Sequence, residues 1–390
     1  MLLAMADVID HDRFLGRCRE LVPVLLERAD EGERLRRVPQ ATIDDARAAD
    51  LFRVVVPTSL GGHGLGLDSL AHGTRILAHG CPATAWTLSF LMMHAWLLTR
   101  FPAEGRAELF AGNPCPFTPA PIAPTGTATP TDGGYRVSGR WEWATAVAHA
   151  DWVMVHAVQT EPVFTTLFVV VRPDEVVVDD VWFTSGMRAT GSNTVRIEDR
   201  FVPASRALPS SSLLFGSDPL DGDGLAGHAV PPVLALMAAA PALGAAEAAV
   251  DLYRERLGQR VLAYSLGDKA SEQPAAQVRL ATAISDLTSA RVRWDDALAK
   301  LDDARAGAVD EQIRVDSRLT AAATCRAARG VISTVCEGSG ASVYLAGSPL
   351  QRLQRDVEVL KGHVIFDWDR TAELAGRYAL GFPLRPTDLV

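Results

Sequence analysis

From about Asp12 to Phe110, apolar residues recur every three or four positions with charges between them, as Phe14, Cys18, Leu21 and Leu25 do. That period predicts helices with one buried stripe. Pro23 falls inside the first of them and predicts a kink or a restart there. Thr42, followed by Asp44 and Asp45, predicts a second helix with threonine as its N-cap and carboxylates in its first turn. Leu60-Gly-Gly-His-Gly-Leu65 is a glycine-rich break. After it, Ala83–Leu98 is apolar on every side and contains His94. A bilayer requires about 20 such residues, so a buried core helix is expected instead.

The texture changes at Asn113-Pro-Cys-Pro-Phe-Thr-Pro-Ala-Pro121, where four prolines in nine residues exclude helix. Beyond it come β-branched runs at Tyr135–Trp143, Trp152–Val158, Thr165–Val171, Val176–Val178 and Thr194–Ile197, with Asp132-Gly-Gly as a turn before the first. Strands at this spacing predict a small barrel or sandwich. After a loop from Pro209 to Gly227, helical periodicity returns over Ala235–Tyr253, Ala275–Arg305, Asp310–Glu337 and Pro349–Tyr378. The chain is therefore α+β and mainly α. Its expected domains are 1–113 (helical), 114–227 (β) and 228–390 (a helical bundle whose alanine-rich first helix suits close packing).

Charge narrows the function classes. A net charge of −9 over 390 residues, with no lysine- or arginine-rich run, argues against a nucleic-acid partner. Arg34, Arg36 and Arg37 alternate with Glu31 and Glu33 as a solvated helix face does. The five cysteines are scattered, with no CxxC pair, which predicts neither disulfides nor zinc and points to a reducing compartment. The first residues lack the basic and apolar regions of a leader peptide, and a cytoplasmic protein without a membrane span is expected. One GxGxxG occurs, Gly222-Asp-Gly-Leu-Ala-Gly227. Acidic neighbours and the following Pro231-Pro232 make it an acidic loop and not a dinucleotide fingerprint. The histidines have no metal-ligand spacing except that His72 and His79 could share a helix face, a pair expected on a surface or in a core and not at a metal. A redox enzyme without its own nicotinamide site must receive its electrons from elsewhere.

Four segments stand in a telling order: Val137-Ser-Gly-Arg-Trp-Glu-Trp-Ala-Thr145, Ser185-Gly-Met-Arg-Ala-Thr-Gly-Ser192, Phe201-Val-Pro203 and Arg352-Leu-Gln-Arg-Asp356. Together they resemble the acyl-CoA dehydrogenase superfamily over essentially the whole chain. The resemblance implies an N-terminal helical domain, a middle β-barrel or sandwich domain and a C-terminal four-helix bundle. Many dehydrogenases of that superfamily place a catalytic glutamate shortly after Arg-Asp; here that position falls at about Val364, which takes no proton. The departures resemble the superfamily's flavin-dependent monooxygenase branch, the oxygenase components of two-component systems. The matching features are Cys81-Pro-Ala-Thr-Ala-Trp86 followed by His94, the Trp-x-Trp-x-Thr stretch ahead of His149-Ala-Asp-Trp152, and His363 seven residues past Asp356. That branch usually has Ser-Gly where this chain has Thr145-Ala146, and the extra methyl groups are expected to narrow the site.

The resemblance implies a reduced flavin, FADH2 or FMNH2, that reacts with molecular oxygen at C4a. The resulting hydroperoxide needs a dry wall, a hydrogen bond near N5 and an imidazole. On this reading Trp143 walls the flavin and Thr145 bonds its N5 or O4. Arg188 and Ser192 hold its phosphate or ring edge. Gly338 and Gly340 meet the flavin tail of a neighbouring subunit. His363 serves as donor to the hydroperoxide or as base for a substrate hydroxyl, with His94 and Trp86 lining the substrate pocket. The implied partners are a separate NAD(P)H:flavin reductase, an aromatic or electron-rich small molecule, and further copies of the chain in a dimer or a tetramer. An acyl-CoA dehydrogenase-type FAD oxidoreductase with a displaced base is the alternative enzyme; a degenerate member that only binds ligands is the alternative outside enzymes.

Overall fold

The chain alternates between two kinds of core, one helical and one of sheet. The computed structural model describes residues 8–390 apart from 218, 221, 263, 264, 307, 308, 386 and 389. The first seven residues, on which the leader-peptide reading rests, and Asp218 and Asp221 of the acidic loop lie outside the described residues. Among the described residues six helices come first: α1 (His11–Glu27), α2 (Ala29–Leu35), α3 (Gln40–Ala48), α4 (Leu67–Leu77), α5 (Pro82–Thr99) and α6 (Ala103–Leu109). Seven strands follow: β1 (Gly126–Thr131), β2 (Gly134–Ala144), β3 (Val153–Gln159), β4 (Thr165–Val171), β5 (Val177–Asp179), β6 (Asn193–Pro203) and β7 (Ala207–Pro209). The last six helices are α7 (Ser210–Phe215), α8 (Val230–Gln259), α9 (Pro274–Asp303), α10 (Glu311–Ser339), α11 (Pro349–Leu360) and α12 (Trp368–Ala379).

The strands form one sheet in the order β5-β6-β2-β1-β3-β4-β7. All its pairings are antiparallel except β1 with β3. Although β6 and β4 are far apart in that order, Val195 and Ile197 share a core with Leu167 and Val169, so the sheet curls over its own interior. Trp141 fills that interior, and its indole N–H donates to the His156 carbonyl at 2.6 Å. A Cβ at Gly126 would stand 1.9 Å from the Trp141 ring, which is why glycine occupies that strand start.

The helices before and after the sheet share a second core, into which Met154 and Phe168 also project. Its centre is α5, where 17 residues are buried, so no polar face is required of it. The hydroxyls of Thr87, Ser89 and Thr99 turn back onto carbonyls of the same helix at 2.6–2.9 Å, which lets them sit inside. α8 has the length and hydropathy of a membrane span, yet 89% of its most apolar window is buried against other parts of the protein. It is a core helix. At Gly244 it approaches α4 so closely that a Cβ would lie 2.1 Å from the Arg75 carbonyl oxygen.

Several local expectations change. Pro23 neither stops nor restarts α1, which runs through it. Thr42 is not an N-cap: Pro39, in extended backbone, sets the start of α3, and Thr42 is buried inside the helix. Asp44 and Asp45 instead accept side-chain bonds from Gln40 and Arg28. Strand β1 and helix α7 lie in stretches whose proline, glycine and serine content reads as loop, whereas α6 falls within the helical period that runs to Phe110. The final helix expected over Pro349–Tyr378 is two helices. The chain leaves α11 at Gly362, makes a short turn over Val364–Phe366, and restarts at α12 with Asp367 accepting from the Arg370 N–H at 3.2 Å. His363 therefore stands in the corner between two helices and not on a helix.

Candidate active site

Two constellations meet on α5. The first is the end of β2, where the register with β6 slips between Trp141 and Ala144. The slip turns Trp143 outward, with φ +71° and half its surface exposed (51%). A bulky residue in the left-handed region is strained and persists only where its surroundings hold it. They do so here: the Thr145 N–H donates to the Trp143 carbonyl at 2.9 Å, and the Ala146 N–H to the Thr190 carbonyl at 3.0 Å. Ala146 also has positive φ, +65°. Beside this corner, Thr145 Oγ1 lies 2.8 Å from Ser192 Oγ, which lies 2.7 Å from Thr190 Oγ1. This chain of three hydroxyls lines the turn Arg188–Thr190 and its continuation, and that turn packs on α5 and α2.

Asp356 of α11 braces the same turn from behind, its Oδ1 accepting from the Met187 N–H at 2.5 Å. Burial raises its carboxyl to about 7, and Oδ2, buried without a partner, fits the protonated acid. Arg355 donates to the Ser185 carbonyl at 2.6 Å and pairs with Glu33, while Arg352 pairs with Asp30. The Arg-Asp motif is thus a clamp between α11, α2 and the hydroxyl-bearing turn. His149 and Asp151 make a comparable brace: His149 Nε2 meets the Val38 carbonyl at 3.0 Å, and Asp151 accepts the Phe117 N–H at 2.8 Å.

The second constellation is a line of rings. Trp86 stands edge-on to Phe90 at 4.6 Å and to His363 at 5.4 Å; Phe90 in turn meets His94 at 5.0 Å, and Phe366 lies 6.1 Å from His363. Trp86, Phe90 and His94 are spaced by four along α5 and so share one face. The two imidazoles are held in opposite tautomers. His94 Nδ1 is 2.6 Å from the Thr118 carbonyl, which only accepts, so its proton sits on Nδ1 and Nε2 keeps a lone pair. His363 Nδ1 accepts the Ile365 N–H at 3.3 Å, so its proton sits on Nε2. Burial depresses both to about 4, with the Arg318 cation adding to the effect on His363. One neutral acceptor and one neutral donor result.

The remaining expected residues lie elsewhere or do other work. Arg188 is turned inward, donating to the carbonyls of Glu33 at 3.1 Å and Thr184 at 3.2 Å, so it struts the turn and is not placed to grip a phosphate. Gly338 and Gly340 sit where α8 and α10 end, apart from both constellations. A Cβ at Gly338 would stand 2.5 Å from the Tyr253 oxygen, and Gly340 takes φ +75°, a backbone conformation that favours glycine. Beside them, Arg256, Arg260 and Leu350 line a cleft of about 360 Å³. A larger groove of about 670 Å³ opens between α10, Glu358 and Trp368, behind the His363 corner, without touching His94 or Thr145. Phe90, Phe366 and Thr190 were missed from the sequence, although Phe90 sits at helical spacing between Trp86 and His94. Val364, near the position that the resemblance gives to the base of many dehydrogenases, is an exposed hydrocarbon.

Fold and site together define an acyl-CoA dehydrogenase-fold flavoprotein built for oxygenation and lacking that base. The family model "Acyl-CoA dehydrogenase, C-terminal domain" matches residues 236–368. A pigment production hydroxylase of a Rhodococcus species is 32% identical, covering 96% of this chain and 98% of its own. The oxygenase subunit HsaA of a flavin-dependent monooxygenase from Rhodococcus jostii is also 32% identical, over 96% and 100%. The crystal structure of XiaF from a Streptomyces species, in complex with FADH2 and glycerol, superposes with a TM-score of 0.90 at 27% identity, covering 97% of this chain and 96% of that one. The chain belongs to the flavin-dependent monooxygenases, as an oxygenase component. Such a component uses reduced flavin delivered by a separate reductase and acts on a small molecule.

The flavin's place can be tested on the residues present. A bare indole face at a strained strand end, next to three hydroxyls able to donate or accept, fits a flat ring with polar edges. Trp143, Thr145 and Ser192 are the residues that would hold it.

Proposed function

We propose that this chain hydroxylates a phenol-like aromatic molecule held along the Trp86–Phe90–His94–His363 line. Bound reduced flavin supplies the activation of dioxygen. The protein supplies the rest. Trp143 and the Thr145–Ser192–Thr190 hydroxyls orient the ring and exclude water. His94 Nε2 accepts the proton of the substrate hydroxyl, raising the electron density of the aromatic carbon to be oxygenated. His363 Nε2–H donates a hydrogen bond to oxygen at the reacting centre. The observation that carries this reading is the pair of neutral imidazoles in opposite tautomers on one aromatic line.

We also infer a pair of homodimers forming a tetramer, in which a second chain would meet the arginine-lined cleft beside Gly338 and Gly340. A cytoplasmic setting accords with five buried cysteines, all free.

The test is one of electron supply. With NADH and flavin alone, the purified chain should neither oxidise NADH nor form product; adding a flavin reductase should give phenol hydroxylation. NADH oxidation by the chain alone, matched by product, would defeat the proposal.

A further inference from the structure

Arg318, on α10, is buried in the wall behind the His363 corner. Its guanidinium donates to the Val364 carbonyl at 3.1 Å and stands 3.5 Å from the Thr371 hydroxyl, so it spans the short turn and the first turns of α12. Val364 is the residue after His363, and the turn it opens is the one His363 caps through Ile365. A buried arginine is costly to desolvate, and where it is kept it has geometric work to do.

We propose that Arg318 is a positioning residue for His363: its grip on the Val364 carbonyl and on Thr371 fixes the corner, and with it the direction of the His363 Nε2–H. The inference rests on the donor role given to His363 above, but its geometric part stands without it. The same cation places a positive charge behind the imidazole. The Arg318 guanidinium is the charge that acts on the imidazole, and the Trp86 ring of α5 faces it; around the guanidinium itself stand Asp367 and Arg370 from the start of α12 and Asp388 from the C-terminal segment. Arg370 disfavours the Arg318 charge, and Asp367 and Asp388 favour it. Burial and the Arg318 charge together hold His363 neutral down to about pH 4.

Two variants separate grip from charge. Arg318→Gln keeps an amide donor but removes the charge; Arg318→Lys keeps the charge but loses the planar two-point grip. Diethyl pyrocarbonate acylates neutral imidazole, and His363 is partly accessible to it. Its labelling, followed by peptide mass spectrometry from pH 4 to 8 in flavin-free protein, reads both properties without any turnover. In wild type, labelling should fall only as pH approaches 4. In Arg318→Gln its midpoint should rise by about one pH unit, as loss of a nearby like charge requires. In Arg318→Lys the midpoint should stay while the rate at pH 7 rises about threefold or more, because the ring is no longer held. Midpoints and rates unchanged in both folded variants would overturn the proposal. If only the lysine variant folds, its rate alone decides. Product coupling measured beside the labelling tests the donor role separately: altered labelling with unaltered coupling leaves the positioning intact and defeats the catalytic reading of His363.

Discussion

Replacing His363 with alanine is expected to lower hydroxylated product per dioxygen consumed by about two orders of magnitude, with the missing oxygen recovered as hydrogen peroxide. The imidazole is fixed for donation: its Nδ1 is taken by the Ile365 N–H, its ring is wedged between Trp86 and Phe366, and burial keeps it neutral at working pH. Alanine removes the donor and the cap of a three-residue turn together. His363→Asn serves as the control, since asparagine also caps well but does not extend to the Nε2 position. Both variants should bind flavin as wild type does, because Trp143, Thr145 and Ser192 lie at the end of β2 and just before β6, away from the His363 corner. Oxygen-electrode and product assays on the two variants check this. Coupling restored by asparagine would mean that the turn, and not the imidazole, matters.

His94→Phe is the second large effect. Phenylalanine keeps the ring beside Phe90 but deletes the acceptor, and general-base removal costs typically 10²–10⁴-fold in rate. The loss should depend on the substrate. A phenol ionised only at high pH should lose about a hundredfold or more in kcat, whereas a nitrophenol already ionised at pH 7 should lose far less. Stability should fall by about 1–3 kcal/mol, since the Thr118 carbonyl is left buried without its donor. The pH dependence follows from the same group. Neutral His94 is the active form, so activity should be level from pH 8 to about 5.5 and lost as pH falls toward 4. Equal losses for ionised and un-ionised phenols would remove His94 from the base role.

The architecture was legible because its signals are local. Proline punctuation marks the entry to the sheet, β-branched runs mark five of its strands, and long periodic stretches mark α8, α9 and α10. The site was legible in its ingredients and not in its arrangement. Trp86 and His94 lie on one predicted helix, but the tautomer of His94 is set by the Thr118 carbonyl, 24 residues away in a proline-rich run that carries no period. Arg188 reads as an anion ligand in a glycine-bounded turn, yet its partner is the Glu33 carbonyl, 155 residues distant. His363 reads as helical because charges and apolar residues keep their spacing through Gly362. A single glycine with a cap residue after it is a weak stop signal, although Asp367 before Trp368 is a sound start signal for a new helix. Trp143 stands out in sequence only as a strand tryptophan; its exposure comes from a bulge opposite β6, which no local pattern announces.

The central claim is that oxygen from dioxygen reaches the substrate through reduced flavin held by this chain. It is tested most directly by mixing the protein anaerobically with chemically reduced flavin and a phenol, then admitting ¹⁸O₂ for a single turnover with no reductase present. The account predicts hydroxylated product carrying one ¹⁸O, formed in proportion to the flavin oxidised. Product carrying oxygen from water, or product formed before oxygen is admitted, would contradict it.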